Sequence, residues 1–285
     1  MKNMRKLIPA IAMLLVSAVM MSTASFAWFT QASAADISGM QVKAVADGGL
    51  AIAAGVDATT LPQGTDYKSR VTPKYVDGAG TITDGIASAT LKPATHSGSK
   101  WFTAVGTQVD NFAHSGAYTE VTGTTHGNYM HTTLYVKSLS TTAVDLQVAN
   151  IAVTLPSGAS ATTSELNKAI RVALCVNGSS WYYFAPTRVD GDKTADANPF
   201  MYSNGSAPVE YTLVDTATHN TSTLTAGKLA TSSQTNVNIL DNLAYEGVAK
   251  VDVYIYYEGE DFNCISAYAL STNSLAGLQI NFTAN

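Results

Sequence analysis

The chain has 285 residues and a formal net charge of −5, and only 13% of its residues are charged. Low charge with many small and hydroxyl-bearing residues is typical of extracellular β-proteins and argues against a helical cytosolic enzyme. The acidic balance, without a basic run after the first six residues, disfavours nucleic acid and anionic membranes as partners.

The first element is an export segment. Three basic residues among the first six precede an uncharged stretch, residues 7–29. This order predicts a hydrophobic export helix, in which residues 1–27 are a signal peptide and the protein is secreted to the cell surface. An uncharged stretch of this length also spans a bilayer, so a retained membrane anchor helix is the alternative.

Two cleavage points provide the small residues that signal peptidase requires. Cleavage after Ala27 leaves Trp28 as the first residue. Cleavage after Ala34 leaves Ala35 and follows the alanine-x-alanine rule more literally. In both cases the mature chain starts before the first predicted strand.

The first strand patterns follow the export segment. Residues 37–46 alternate in polarity towards their end, residues 47–49 are a turn signal, and residues 50–53 resume the pattern. Together they predict a β-hairpin. Residues 55–127 are rich in glycine, threonine and aspartate, and we interpret them as surface loops with a few short strands. The short strands expected there are residues 100–105 and 118–121.

The central part of the chain alternates more regularly. Residues 131–137 and 144–155 are predicted strands, with a β-bulge where the alternation shifts at Ala149–Asn150. Residues 170–184 are a predicted hairpin that turns at Asn177-Gly178.

The remaining elements are one helical turn, one loop segment and two strands. Residues 164–169 predict the helical turn, and residues 186–235 are interpreted as loops. Residues 251–256 form the clearest alternating strand, and residues 278–282 form a terminal strand.

Strand follows strand without strand–helix alternation, which excludes a βαβ fold and predicts an all-β sandwich. We therefore expect residues 39–285 to form a single domain. Its elaborated loops are insertions near residues 55–127 and 186–235.

Cys175 and Cys264 are the only cysteines. In an exported chain, two cysteines far apart in sequence most simply form one disulfide, which stabilises a fold by roughly 4–5 kcal/mol. Two free buried thiols are the alternative. Two cysteines are too few for a structural zinc site, and neither lies in a Cys-x-x-Cys motif.

Three groups of stretches, at both ends and in the middle of the chain, form a more specific combination. They are Ser25–Thr30 with Gly39–Val42, Thr133–Ser138 with Asp145–Ile151, and Val253–Cys264 with Leu278–Phe282. In this order the chain resembles the TasA/camelysin-like family of exported Gram-positive surface proteins. The resemblance implies a jelly-roll β-sandwich and a dedicated signal peptidase that cuts just before the aromatic pair, which favours Ala27 over Ala34.

The resemblance also implies a structural fibre subunit, for example in a biofilm matrix. In such fibres the segment freed by cleavage inserts as a strand into the neighbouring subunit. Carried to this sequence, residues 28–38 are the donor strand, and Trp28, Phe29 and Ile37 are the assembly residues. The implied partners are further copies of the chain in a head-to-tail homopolymer, signal peptidase, and other matrix or surface proteins. For Trp28 and Phe29 alone, an aromatic pair at a membrane interface is the alternative.

No catalytic motif accompanies these features. The five histidines form no His-Glu-x-x-His pattern, and Gly-x-Ser-x-Gly is absent. We therefore expect neither an enzyme nor a cofactor. The acidic group Glu258, Glu260 and Asp261 is a weak calcium candidate, and solvated turn acids are the alternative.

Aromatic residues on strands suggest a different class of function. Such side chains can stack on sugars, although they more often pack within or between sheets. The candidates are Trp101, Trp181, Tyr182, Tyr183, Tyr254, Tyr256 and Tyr257. A monomeric surface adhesin or carbohydrate-binding module is therefore the alternative to the fibre subunit.

Overall fold

The structure is a computed structural model. It describes residues 35–55, 61–76, 82–84, 86–97, 100–104, 118–121, 127–154, 167–187, 212–213, 228–231, 235–258 and 277–285. These residues form a short 3-10 helix at Gly64–Asp66 and eighteen β-strands. The strands are β1 (Ala35–Ala46), β2 (Leu50–Ala54), β3 (Arg70–Val71), β4 (Lys74–Val76), β5 (Ile82–Asp84), β6 (Ile86–Leu91), β7 (Thr95–Ser97), β8 (Lys100–Ala104), β9 (Tyr118–Glu120), β10 (Met130–Ser138), β11 (Val144–Thr154), β12 (Ile170–Val176), β13 (Ser180–Ala185), β14 (Thr212–Leu213), β15 (Lys228–Thr231), β16 (Val237–Leu243), β17 (Val248–Tyr257) and β18 (Gly277–Ala284).

The strands form two large sheets and one small sheet. Sheet A has the order β16-β11-β18-β1-β3, and β6 adds to β1. Sheet B has the order β14-β15-β13-β12-β17-β10-β4-β5, and β2 adds to β10. Sheet C consists of β7, β8 and β9. The all-β prediction is confirmed for the described residues.

Sheets A and B face each other across one hydrophobic core. In sheet B, β17 buries Val251, Val253 and Ile255, and in sheet A, β18 buries Ile280 and Phe282. Because successive residues of a strand point to opposite faces, a polarity period of two gives each strand one such core side. Both strands follow the alternation predicted from the sequence.

The first and last strands pair in parallel at the centre of sheet A. Gln41 lies opposite Gly277, and Ala46 lies opposite Phe282. Strand β11 flanks β18 on its other side in antiparallel orientation. The two described ends of the chain are therefore held together by backbone hydrogen bonds inside the sandwich.

The predicted hairpin of residues 37–53 is wrong. Strand β1 lies in sheet A, whereas β2 pairs with β10 in sheet B. Gly48 and Gly49 between them have φ angles of +66° and +85°, and a Cβ on Gly48 would lie 3.1 Å from the Ala284 nitrogen. The turn therefore crosses between the sheets. Turn residues signal a reversal of the chain but do not specify to which sheet it returns.

Two local predictions in the central part are confirmed. The register between β11 and β18 shifts at the predicted bulge, Ala149–Asn150. Strands β12 and β13 form the predicted hairpin, and its turn residues Asn177 and Gly178 have the positive φ angles that such tight turns require. Of the predicted helical turn, Asn167 is helical, residues 168 and 169 form a turn, and residues 164–166 lie outside the described residues.

The segment interpreted as loops, residues 55–127, contributes strands to all three sheets. Strand β3 joins sheet A, β4 and β5 join sheet B, and β7 to β9 make up sheet C. The short strands expected near residues 100–105 and 118–121 are confirmed as β8 and β9. The second segment, residues 186–235, contributes β14 and β15. Most of these strands are too short to show a clear alternation.

Candidate functional site

The first strand is divided into two halves with different partners. Residues 41–46 pair with β18 on one side, and Ala44 and Val45 also pair with β3 on the other. Residues 35–40 pair in antiparallel orientation with β6. Among the described strands, β6 is the only partner of this first half. The first half of β1, residues 35–40, is thus a peripheral segment, which we call the ribbon. It continues directly into the second half of β1, which lies in the centre of sheet A.

The predicted donor strand ends in this first half. Ile37 is paired with Ala89 of the same chain, and Ala35 with Leu91. Residues 35–38 are therefore not a free ribbon in this structure, as a donor strand awaiting a partner would be. The other predicted export and assembly residues lie outside the described residues, so their roles stay predictions. They are Ala27, Trp28, Phe29 and Ala34.

Two backbone edges of the sandwich are protected. On one side, the backbone N–H of Ile52 in β2 donates to the Lys68 carbonyl, and the N–H of Lys68 donates to the Ile52 carbonyl. The chain then continues into β3, which pairs with β1. On the other side of sheet A, β16 has two register shifts against β11, and φ is positive at Asn242 within the strand and at Asn236 just before it. Irregular edge strands resist the addition of a further strand.

The outer face of sheet B carries a second hydrophobic cluster, which sheet C covers. We call it the aromatic cluster. Its buried members are Ala94, Trp101, Ala173, Tyr183, Ala185 and Tyr256, and Val121, Tyr129, Trp181 and Tyr254 pack against them at its border. The strand alternation that buries one side of β13 and β17 in the main core places these rings on the other side. The molecule therefore has a third layer here.

Trp101 and His96 attach sheet C to sheet B. The Trp101 ring stacks on Tyr129 with a centroid distance of 4.4 Å. The His96 ring lies 4.0 Å from the Trp181 ring, and its Nδ1 is 2.7 Å from the Tyr183 hydroxyl. Burial lowers the pKa of His96 to about 4, so the imidazole is neutral at neutral pH.

The aromatic residues considered for sugar stacking have different environments. The buried ones are Trp101, Tyr183, Tyr256 and Tyr257, and the half-buried ones are Trp181, Tyr182 and Tyr254. Tyr182 packs against the main core. Packing therefore accounts for most of the set, and sugar stacking stays a prediction for Trp181 and Tyr254 alone.

A polar network lies beside the aromatic cluster on the outer face of sheet B. The Thr133 hydroxyl donates a hydrogen bond of 2.6 Å to Asp252 Oδ1, Lys250 Nζ lies 2.9 Å from Oδ2, and His131 Nε2 lies 3.3 Å from Oδ1. Burial by itself raises the pKa of Asp252, but the hydrogen bonds from His131, Thr133 and Lys250 outweigh it and lower this pKa to about 2. The ionised carboxylate therefore joins β10 to β17.

Cys175 lies next to this network. It is buried, opposite Asp252 on β17 and Trp181 on β13. Its thiol is free in the structure, and Cys264 lies outside the described residues, so the disulfide between them stays a prediction. Burial, followed by the negative charge of Asp252, raises the pKa of the Cys175 thiol, which disfavours the reactive thiolate.

We expect Cys175 to be unreactive in the folded protein. In a Cys264→Ser variant it is the sole thiol, and a colourless disulfide reagent that releases a chromophore should react with it only after denaturant is added. An added cysteine at Ser179, in the exposed turn of the β12–β13 hairpin, is the matched control and should react at once. Rapid labelling of Cys175 without denaturant would contradict its burial.

The weak calcium candidate is only partly described. Glu258 is buried, and its backbone N–H donates a hydrogen bond of 2.8 Å to the Ala169 carbonyl. Its backbone also forms an isolated parallel β-bridge with Ala94. The alternative of a solvated turn acid is therefore wrong for Glu258. Glu260 and Asp261 lie outside the described residues, so calcium binding stays a prediction.

The described ranges contain no group of three or more His, Cys, Asp or Glu side chains that could hold a metal ion. Two histidines lie in these ranges, and both have structural contacts: His96 within the aromatic cluster, and His131 beside Asp252. No helix in the same part of the chain is long and apolar enough to cross a bilayer.

Sequence reasoning missed the Asp252 network and the packing of His96. One signal was available, because an acid in the middle of a mostly apolar and aromatic strand requires hydrogen-bond partners once it is buried. Lys250 lies two residues earlier on the same strand, but the other partners, Thr133 and His131, come from a strand more than a hundred residues away. No family model, no curated protein and no solved structure matches this chain.

Proposed function

We propose that the protein is an exported structural subunit that builds a cell-surface fibre, in a biofilm matrix or a pilus-like filament. Its N-terminal segment inserts as a strand into the jelly-roll sandwich of a neighbouring copy. One observation carries the proposal: among the described strands, the first half of β1 pairs only with β6, whereas the second half lies in the centre of sheet A. A terminal strand segment with one neighbour breaks fewer backbone hydrogen bonds on leaving a sheet than a segment with two neighbours.

Cleavage of the export segment determines when assembly begins. Until cleavage, Trp28 and Phe29 are tethered to the uncharged stretch that engages the export machinery. The donor strand, residues 28–38, therefore becomes available only outside the cytoplasm. This order prevents the chain from polymerising before export.

Strand insertion accounts for a polymer rather than a dimer. The donor segment and the sheet that receives it are different surfaces of the same molecule, so the contact is heterologous and extends into a fibre unless a ring closes. Main-chain hydrogen bonds provide the affinity in this mode of recognition. The low charge of the chain leaves little electrostatic repulsion between successive subunits.

We expect a chain that begins at Trp28 to form fibres visible by negative-stain microscopy, and a chain that begins at Ala35 to elute as a monomer in size-exclusion chromatography. The shorter chain retains all of β1, so it should fold, with a β-sheet circular dichroism spectrum and a cooperative thermal transition. Loss of fibres is then due to the missing donor residues and not to unfolding.

The matched control is the longer chain with Trp28→Ala and Phe29→Ala, which should assemble poorly because the donor strand lacks its aromatic anchors. A chain beginning at Trp28 that stays monomeric at every concentration contradicts the proposal. If that monomer binds glycans and the Trp181→Ala substitution abolishes this binding, the protein is a carbohydrate-binding module instead.

A further inference from the structure

The pairing of β1 changes abruptly along the strand. The last two pairs with β6 are Ser38 opposite Ser88 and Met40 opposite Ile86, with Gly39 between them. From Gln41 onwards, β1 pairs with β18. One strand therefore consists of a peripheral half and a central half, and the change lies between Met40 and Gln41, close to Gly39.

We propose that residues 35–40 exchange between chains, so that in the fibre they pair with β6 of the neighbouring copy in the register that they make with their own β6 in the isolated chain. The inference rests on the proposed function and names the strand that receives the donor segment. Residues 28–34 precede the exchanged residues and carry the aromatic anchors Trp28 and Phe29, so a chain beginning at Ala35 retains the exchanged residues but lacks the anchors and stays monomeric. It also means that the isolated chain is self-capped, because its own ribbon occupies the acceptor strand.

The pairing with β6 identifies a second copy of this chain as the partner that binds β6 in the fibre. Because β6 already accepts residues 35–40, the same segment from another copy fits it without any new recognition. Exchange of an identical element keeps the same strand pairs and therefore costs little free energy. The other edges of sheet A are less suitable, since β3 closes one side and the irregular β16 ends the other.

The joint between Met40 and Gln41 permits the exchange, and Gly39 lies beside it. Glycine adopts backbone angles that other residues avoid, so it helps to absorb a change of chain direction with little strain. Residues 41–46 keep their pairing with β18 while the ribbon swings out. Opening must first break the five pairs with the chain's own β6. We therefore expect assembly to show a lag that added fibre seeds shorten.

The experiment uses cysteines at Ser38 and Ser88, which are Cα partners. Directly opposed residues of antiparallel strands have Cα atoms roughly 4.5–5.5 Å apart, which a disulfide can bridge. A Ser38→Cys chain and a Ser88→Cys chain, both beginning at Trp28, are mixed, assembled and oxidised. Exchange predicts that the two chains become linked to each other, with the 38–88 peptide pair identified by mass spectrometry.

The doubly substituted chain tests the self-capped state. Oxidised as a monomer, it should form the 38–88 link within one chain and lose fibre formation, and reductant should restore assembly. Lys43→Cys with Gln279→Cys is the control, because these Cα partners lie in the central half. That pair should link only within one chain, and its oxidation should not prevent fibre formation.

Three results would overturn the exchange. Fibres without any 38–88 link between chains show that another strand receives the donor, and the fibre proposal survives. A 43–279 link between chains shows that the whole of β1 exchanges and that the joint does not lie between Met40 and Gln41. If the chain beginning at Trp28 forms no fibres at all, the proposed function fails and the exchange fails with it.

Discussion

Truncation of Trp101 to alanine is expected to lower the free energy of unfolding by about 3–5 kcal/mol. The side chain is only 7% exposed. Its ring contacts those of Tyr129, His96, Tyr256 and Tyr254, with centroid distances between 4.4 and 5.5 Å. Removal leaves a cavity between sheets B and C that the surrounding rings fill only in part. Denaturant unfolding followed by circular dichroism measures the loss.

The matched control is an aromatic residue on the surface. Tyr245 is 56% exposed, and Tyr245→Ala should change the free energy of unfolding by no more than about 0.5 kcal/mol. Trp101→Phe keeps a ring in the aromatic cluster and should lower the free energy of unfolding by less than Trp101→Ala. A loss below about 1 kcal/mol for Trp101→Ala would mean that sheet C does not pack on sheet B as a third layer.

The second large effect is a loss of stability in mild acid caused by His96. In the unfolded chain this imidazole binds a proton near its ordinary pKa of 6.5, whereas burial lowers the pKa in the folded protein to about 4. Between these values the unfolded state binds more protons, so the free energy of unfolding falls as the pH falls. The His96 contribution is complete above pH 6.5 and absent below about pH 4, and amounts to about 3 kcal/mol.

The comparison variant is His96→Gln, which cannot take up the proton. Its stability, measured by denaturant unfolding from pH 7 to pH 4, should depend less steeply on pH than that of the parent protein. Asp252→Asn should differ from the parent in a lower window, because the folded pKa of Asp252 is about 2 and its contribution is lost only as the pH falls below 3.8. Parallel curves for the parent and His96→Gln between pH 6.5 and 4 would contradict the buried neutral imidazole.

Much of the local structure follows from the sequence. Regular alternation in β10, β11, β17 and β18 identifies these strands and their core-facing sides, because a strand directs successive side chains to opposite faces. The Asn177-Gly178 turn identifies the β12–β13 hairpin, since both residues tolerate positive φ. Each of these predictions depends only on neighbouring residues.

The sequence predicts much less of the candidate site. The partner of residues 35–38 is β6, which comes from a glycine- and threonine-rich segment that we interpreted as loops. Likewise, Asp252 and Thr133 occupy strands that were each recognised, but nothing in either strand indicates that the two face each other. Sheet C consists of strands of three to five residues, too short for a clear period.

The sequence by itself determined the β-strand class of the chain, the core-facing residues of its longest strands and the position of the β11 bulge. Only the tertiary structure decided that β1 and β2 lie in different sheets, that β1 pairs with β18, and that a third layer covers the aromatic side of sheet B. The physical reason is that alternation records which side of a strand is buried. Which strand lies beside it depends on contacts between residues far apart in the chain.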